Sequence, residues 1–146
     1  MTPAAADPAG ALLPSVPAWA AAAARHGELF APLDAGARIA LLARSAPSRL
    51  LVWQAGEQGV DASVEPFAGG YASSGADIVL AADDESLEAV RAATARDDGA
   101  LFEALRAGIR SGAIVCYMLR RRCLLEERGY DELLDALGFA FMGACR

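Results

Sequence analysis

Gly99 to Glu127 reads GALFEALRAGIRSGAIVCYMLRRRCLLEE, and it holds the chain's hardest choice between helix and strand. Leu101, Leu105 and Ile109 recur every four residues with Phe102 beside them, which predicts an amphipathic helix with one apolar face. Asp97 and Asp98 stand before it and can cap its free N–H groups. Arg106 near its end suits the helix dipole. Gly108 reads as the residue that ends it, because glycine takes the left-handed conformation without a Cβ clash. Gly112 gives a second punctuation point. Ala113 to Leu119 is then an unbroken apolar run, either a buried strand or a helix buried on most sides; periodicity does not choose. Arg120 to Glu127 continues with good helix formers and meets no breaker before Gly129, which favours one long helix.

Working outward toward the N-terminus, Asp83 and Asp84 begin a helix with acid in its first turn, and Leu87, Val90 and Thr94 form its buried face. Ala76 to Ala81 (ADIVLA) is a strand, and Pro66 to Gly75 a loop. Leu50 to Gln54 and Val60 to Val64 predict an antiparallel hairpin around the turn Ala55–Gly59. Val60, Ala62 and Val64 face inward there, and Asp61 and Ser63 face water. Asp34 to Arg44 reads as a short capped helix or equally as a strand. Pro17 to Phe30 predicts a helix with Trp19, Ala23, His26 and Phe30 on one face, weakened at Gly27 and ended by Pro32. Residues 1–14, rich in Ala and Pro, read as a mobile tail, and residues 15–146 as a single domain. In the other direction, Tyr130, Leu133, Leu134, Leu137 and Phe141 make a helical stripe opposite Asp131, Glu132 and Asp135. The fold class is α+β: an antiparallel sheet of three to five strands with helices packed on one face.

The chain has 146 residues, enough for a core that needs no staples. A net charge of −6 argues against a nucleic-acid surface. No apolar run reaches the ~18 residues that span a bilayer, and no basic segment precedes the Ala-rich stretch near residues 18–24. Cys116, Cys123 and Cys145 have no metal-type spacing, and a reducing cytoplasm is the simpler setting. His26 has no nucleophile and orienting group in any recognisable order. Cys116 and Cys123 on one helix would stand ~10 Å apart along its axis, too far for a redox pair; they read as buried structural thiols. Gly69-Gly70 lacks a phosphate-loop pattern. No catalytic residue, metal ligand or cofactor is expected, and the chain reads as a non-enzyme. Arg120, Arg121 and Arg122 point in different directions on a helix. They read as a solvated helix end, or as a rim that attracts anionic head groups in transient membrane contact.

The order of pieces now matters: hairpin, ADIVLA, the acid-capped DDESLEAV helix, LFEALRAG, the IRSG link, then the apolar run. This order resembles the sterol carrier protein type 2 family over about residues 49–127. The small-Gly pair Ala107-Gly108, and Ile109–Gly112 read as a truncated form of the family's short strand with Gly112 as its glycine, carry the rest of the likeness. Ala113 departs from it, standing where the family usually has Asp. The resemblance implies a five-stranded sheet with helices over one face and a hydrophobic tunnel for a lipid or sterol. A quinone-biosynthesis accessory branch is similar too and implies isoprenoid cargo. Leu101, Phe102, Leu105, Ile109, Ile114, Tyr117 and Met118 would line such a tunnel, since Met and aromatic side chains adapt to irregular apolar ligands. The same seven residues could equally pack an ordinary core. The expected function is non-catalytic carriage of an apolar molecule. The alternative is a regulatory or adaptor protein that binds a partner, or a second copy, through the Tyr130–Phe141 face.

Overall fold

The computed structural model describes residues 8–96 and 99–139. The elements are α1 (Pro8–Leu12), α2 (Val16–Arg25), α3 (Gly27–Phe30), β1 (Arg38–Ala43), β2 (Arg49–Gly56), β3 (Gly59–Pro66), β4 (Ile78–Ala82), α4 (Asp84–Thr94), α5 (Ala100–Ser111), β5 (Ile114–Met118), α6 (Arg122–Glu127) and α7 (Asp131–Ala136). The fold is α+β. Its five-stranded sheet has the order β3-β2-β1-β4-β5. Three pairings are antiparallel, whereas β1 and β4 run parallel, so the expected antiparallel sheet is in fact mixed. The cause is the return path: the chain leaves β3 at the edge, crosses the sheet through residues 67–77, and enters β4 beside β1 in the direction of β1.

The sheet is apolar on both faces. Ile39, Leu41, Leu51, Trp53, Ile78 and Leu80 share the main core with side chains from the helices. Ala40, Leu42, Leu50, Val52, Val79 and Ala81 face the other way, under Phe67, Leu119 and Tyr71 of a short 3-10 helix (Tyr71–Ser74) rather than under α-helices. Burial on both sides explains why β1 lacks the alternation of a half-wet strand. It also resolves the Asp34–Arg44 ambiguity in favour of strand.

Local chemistry sets the helix ends. Asp83 Oδ1 accepts the Ser86 N–H at 2.8 Å and caps α4. Leu87, Val90 and Thr94 are buried along it as expected. The expected single helix from Pro17 to Phe30 breaks at His26, which has φ −113° and ψ 39° and separates α2 from α3. Gly108 does not end α5: the helix runs through it to Ser111, and Gly112, at φ 86°, provides the left-handed cap. Asp97 and Asp98, the expected N-terminal caps, lie outside the described residues.

Two corrections change the architecture. The long helix predicted from Ala113 onward is instead β5, paired in register with β4 from Ile114↔Ala82 to Met118↔Ile78, followed after Arg121 by the short α6. Of the expected mobile tail at residues 1–14, residues 1–7 lie outside the described residues, and the rest is corrected. Ala9 and Leu13 of the α1 region are buried in the main core, and the Arg91 guanidinium donates to the Leu12 carbonyl. At the other end, Tyr130, Leu133, Leu134 and Leu137 are turned into the core. These four positions of the Tyr130–Phe141 face are therefore not exposed; Phe141 lies outside the described residues. Among the described residues, no helix is long and apolar enough to cross a membrane.

Candidate functional site

Six of the seven residues expected to line a tunnel do come together. Leu101, Phe102, Leu105 and Ile114 are buried in the main core, and Ile109 and Met118 pack against it. Tyr117 does not join them. Alternation along β5 puts it on the opposite face of the sheet, 36% exposed, with its ring 4.5 Å from that of Tyr71. The six pack against one another as core, and none of them lines the cleft described next.

That cleft lies between the α2–α3 pair and the β2–β3 hairpin, with a volume of about 510 Å³. Ala23, Ala24, Gly27, Phe30, Ala31 and Leu33 form the helical wall, and Ala55, Gly56 and Val60 the hairpin wall. Glu57, Gln58 and Gly59 stand at its mouth. The cleft follows from the sequence: α2 and the start of α3 present alanine and glycine to the hairpin, and the break at His26 turns the second helix away from the first. Below the walls lies an aromatic floor. Phe30 meets Trp53 edge-on at 5.0 Å, and Trp53 stacks on Trp19 at 3.8 Å with the rings 3° from parallel. The Trp53 indole N–H donates to the Trp19 carbonyl at 2.7 Å. Phe102 stands behind this floor, 6.5 Å from Phe30 and 6.3 Å from Trp53. One residue picked from sequence therefore supports the cleft without touching its interior. The signal that could have found the cleft was already visible as the run of alanines between Trp19 and Arg25.

A second constellation was not anticipated. Asp77, only 2% exposed, accepts the Tyr130 hydroxyl at 2.7 Å and the Arg38 backbone N–H at 3.2 Å. Its other contacts are the guanidinium groups of Arg120, at 3.3 Å, and Arg128, at 3.6 Å. A buried carboxylate needs such partners, because an unpaired one would cost several kcal/mol. Burial and the neighbouring Asp77 push the Tyr130 phenol well above its ordinary value, so it stays a donor. The group ties the start of β4 to the segments flanking α6. Its polar atoms are satisfied by one another, which suits a clamp. The sequence signal was the lone acid inside ADIVLA.

Cys116 and Cys123 are not on one helix. Cys116 is half-buried in β5, and Cys123 lies on the exposed side of α6. Burial pushes the Cys116 thiol up to about 12, which leaves it neutral at physiological pH and a poor nucleophile.

No protein-family model matches the chain, and no curated protein matches it. A solution structure from Thermus thermophilus, described as "conserved hypothetical protein TT1886, possibly sterol carrier protein", aligns with 91% of this chain and 94% of its own. The identity is 14% and the TM-score 0.46.

Proposed function

We propose that this chain binds and carries an apolar molecule, without catalysis, in the cleft between α2–α3 and the β2–β3 hairpin. The observation that supports the reading is the cleft itself: about 510 Å³, within the ~300–1,000 Å³ usual for small-molecule sites, with walls of small apolar side chains over an aromatic floor. Such walls let a hydrocarbon chain lie close to the backbone. The site differs from the tunnel expected behind Leu101 and Ile114, which belong to the main core.

Gly27 offers a direct test. A Cβ added there meets nothing within 4 Å, so Gly27→Leu places its bulk in the cleft without a clash. Gly27 is the first residue of α3, so the change should leave stability near that of the wild type. The expected outcome is uptake of an uncharged fluorescent long-chain lipid by the wild type and at least about a tenfold loss in Gly27→Leu, as the filled volume excludes the chain, with an unchanged melting temperature. Binding should also alter tryptophan emission, because Trp53 touches the cleft residue Phe30. A folded wild type that takes up none of several neutral lipids would sink the proposal.

A further inference from the structure

Resting on that reading, the charges around the cleft bear on which lipids it takes. A single-chain lipid whose tail enters the apolar walls leaves its head at the mouth. Glu57 and Gln58 make the two-residue loop between β2 and β3, with Gly56 paired to Gly59. Asp61 follows on β3, but it pairs with Gln54 and so points to the opposite face of the sheet, away from the cleft. Among the described residues, no arginine or histidine lines the cleft. The nearest base along α2, Arg25, sends its Nη2 to the Thr94 carbonyl at 2.8 Å, toward α4. His26 packs its ring edge-on against Phe102 at 4.8 Å. The head group therefore meets one acid, Glu57, and one carboxamide, which both donates and accepts hydrogen bonds.

From this arrangement we infer that the cleft selects single-chain lipids with a hydroxyl, carbonyl or amine head and discriminates against fatty acids and other anionic lipids. A ligand carboxylate would lie beside Glu57, with no cation among the lining residues to meet it. A like charge at close contact weakens binding by roughly fivefold even at the dielectric of water. A hydroxyl or amine head suffers no such repulsion and has Gln58 within the same mouth.

The test is competition at pH 7 and low salt against an uncharged fluorescent long-chain alcohol bound to the full chain. Hexadecanol, hexadecylamine and palmitate serve as competitors of equal chain length. The amine and the alcohol are expected to displace the probe, with palmitate weaker by about fivefold. Raising the salt should narrow the gap, because exposed charges are screened. Glu57→Gln should narrow it as well, whereas Asp61→Asn, on the other face of the sheet, should leave it unchanged, and Glu57→Lys should bring palmitate level with the alcohol. Palmitate binding the wild type as tightly as hexadecanol would overturn the inference and leave the carrier reading standing. A gap that ignores salt and both Glu57 variants would also overturn it. Failure of the probe itself to bind would overturn both.

Discussion

Asp77 shows how one side chain can hold separate parts of a small fold together. Its carboxylate receives Tyr130 from the segment before α7, Arg128 from the end of α6, Arg120 from the end of β5, and the backbone of Arg38. Asp77→Asn should cost about 2–3 kcal/mol, below the ~3–5 kcal/mol of a fully buried pair because both arginines are about one-third exposed. Tyr130→Phe, which removes one hydrogen bond to a charged group, should cost about 1.5–2 kcal/mol. Urea titrations of both variants and the double mutant would measure this, and coupling between the two sites is expected because they share one contact. Cys116 makes a different claim. Its folded value of about 12 exceeds the ordinary thiol value of 9.0. Between those values the unfolded chain loses a proton that the native one keeps, so stability falls as pH rises through that window. Cys116→Ala should flatten that alkaline decline in melting temperature while leaving its slope near neutrality unchanged.

At the scale of elements, the junction of α5 and β5 is decided by a glycine that composition alone misreads. A Cβ on Gly108 would collide with Ile114 Cδ1 and stand 2.6 Å from Cγ1. The residue is there so that helix and strand can touch. Gly108→Ala should destabilise by about 1–3 kcal/mol through overpacking, against its gain in helix propensity of about 1 kcal/mol. Ile114→Ala alone removes a buried side chain at about 2–5 kcal/mol, and the double variant should lose less than the sum of the two single losses, which urea titrations of all three would reveal. The edge strand corrects another expectation. Val64 is 41% exposed, so Val64→Asp should change stability by no more than about 0.5 kcal/mol. Ala62, packed against the core beside Trp53, is the inward position, and Ala62→Asp should cost about 2 kcal/mol. The hairpin, β4 and α4 were legible because alternation, turn glycines and an acidic cap are local signals. β5 was not, because an apolar run of that length fits either structure until a neighbouring strand offers its ladder. The cleft escaped notice for a related reason: alanine and glycine mark an empty space only once the opposite wall is known.

For the molecule as a whole, the sheet order places the most protected strands in the middle. β1 and β4 have partners on both sides and apolar cover on both faces. Their amides should exchange slowest with solvent, and those at the β2–β3 turn fastest, in hydrogen-exchange mass spectrometry. This ranking also places the cleft mouth on the part of the fold that opens most readily, where a ligand would enter. The parallel pairing of β1 with β4 has a consequence for synthesis on the ribosome. β1, β2 and β3 emerge in sequence and can zip together as a meander at once. The other edge of β1, the apolar Ile39–Ala43 row, must then wait until Ile78–Ala82 has been translated. At about 5–20 residues per second, the nascent chain carries that unpaired edge for seconds, and an unpaired apolar edge is a template for another chain. Stalling between these two segments would therefore favour pairing between neighbouring nascent chains, whereas a complete chain buries the same row inside its own sheet.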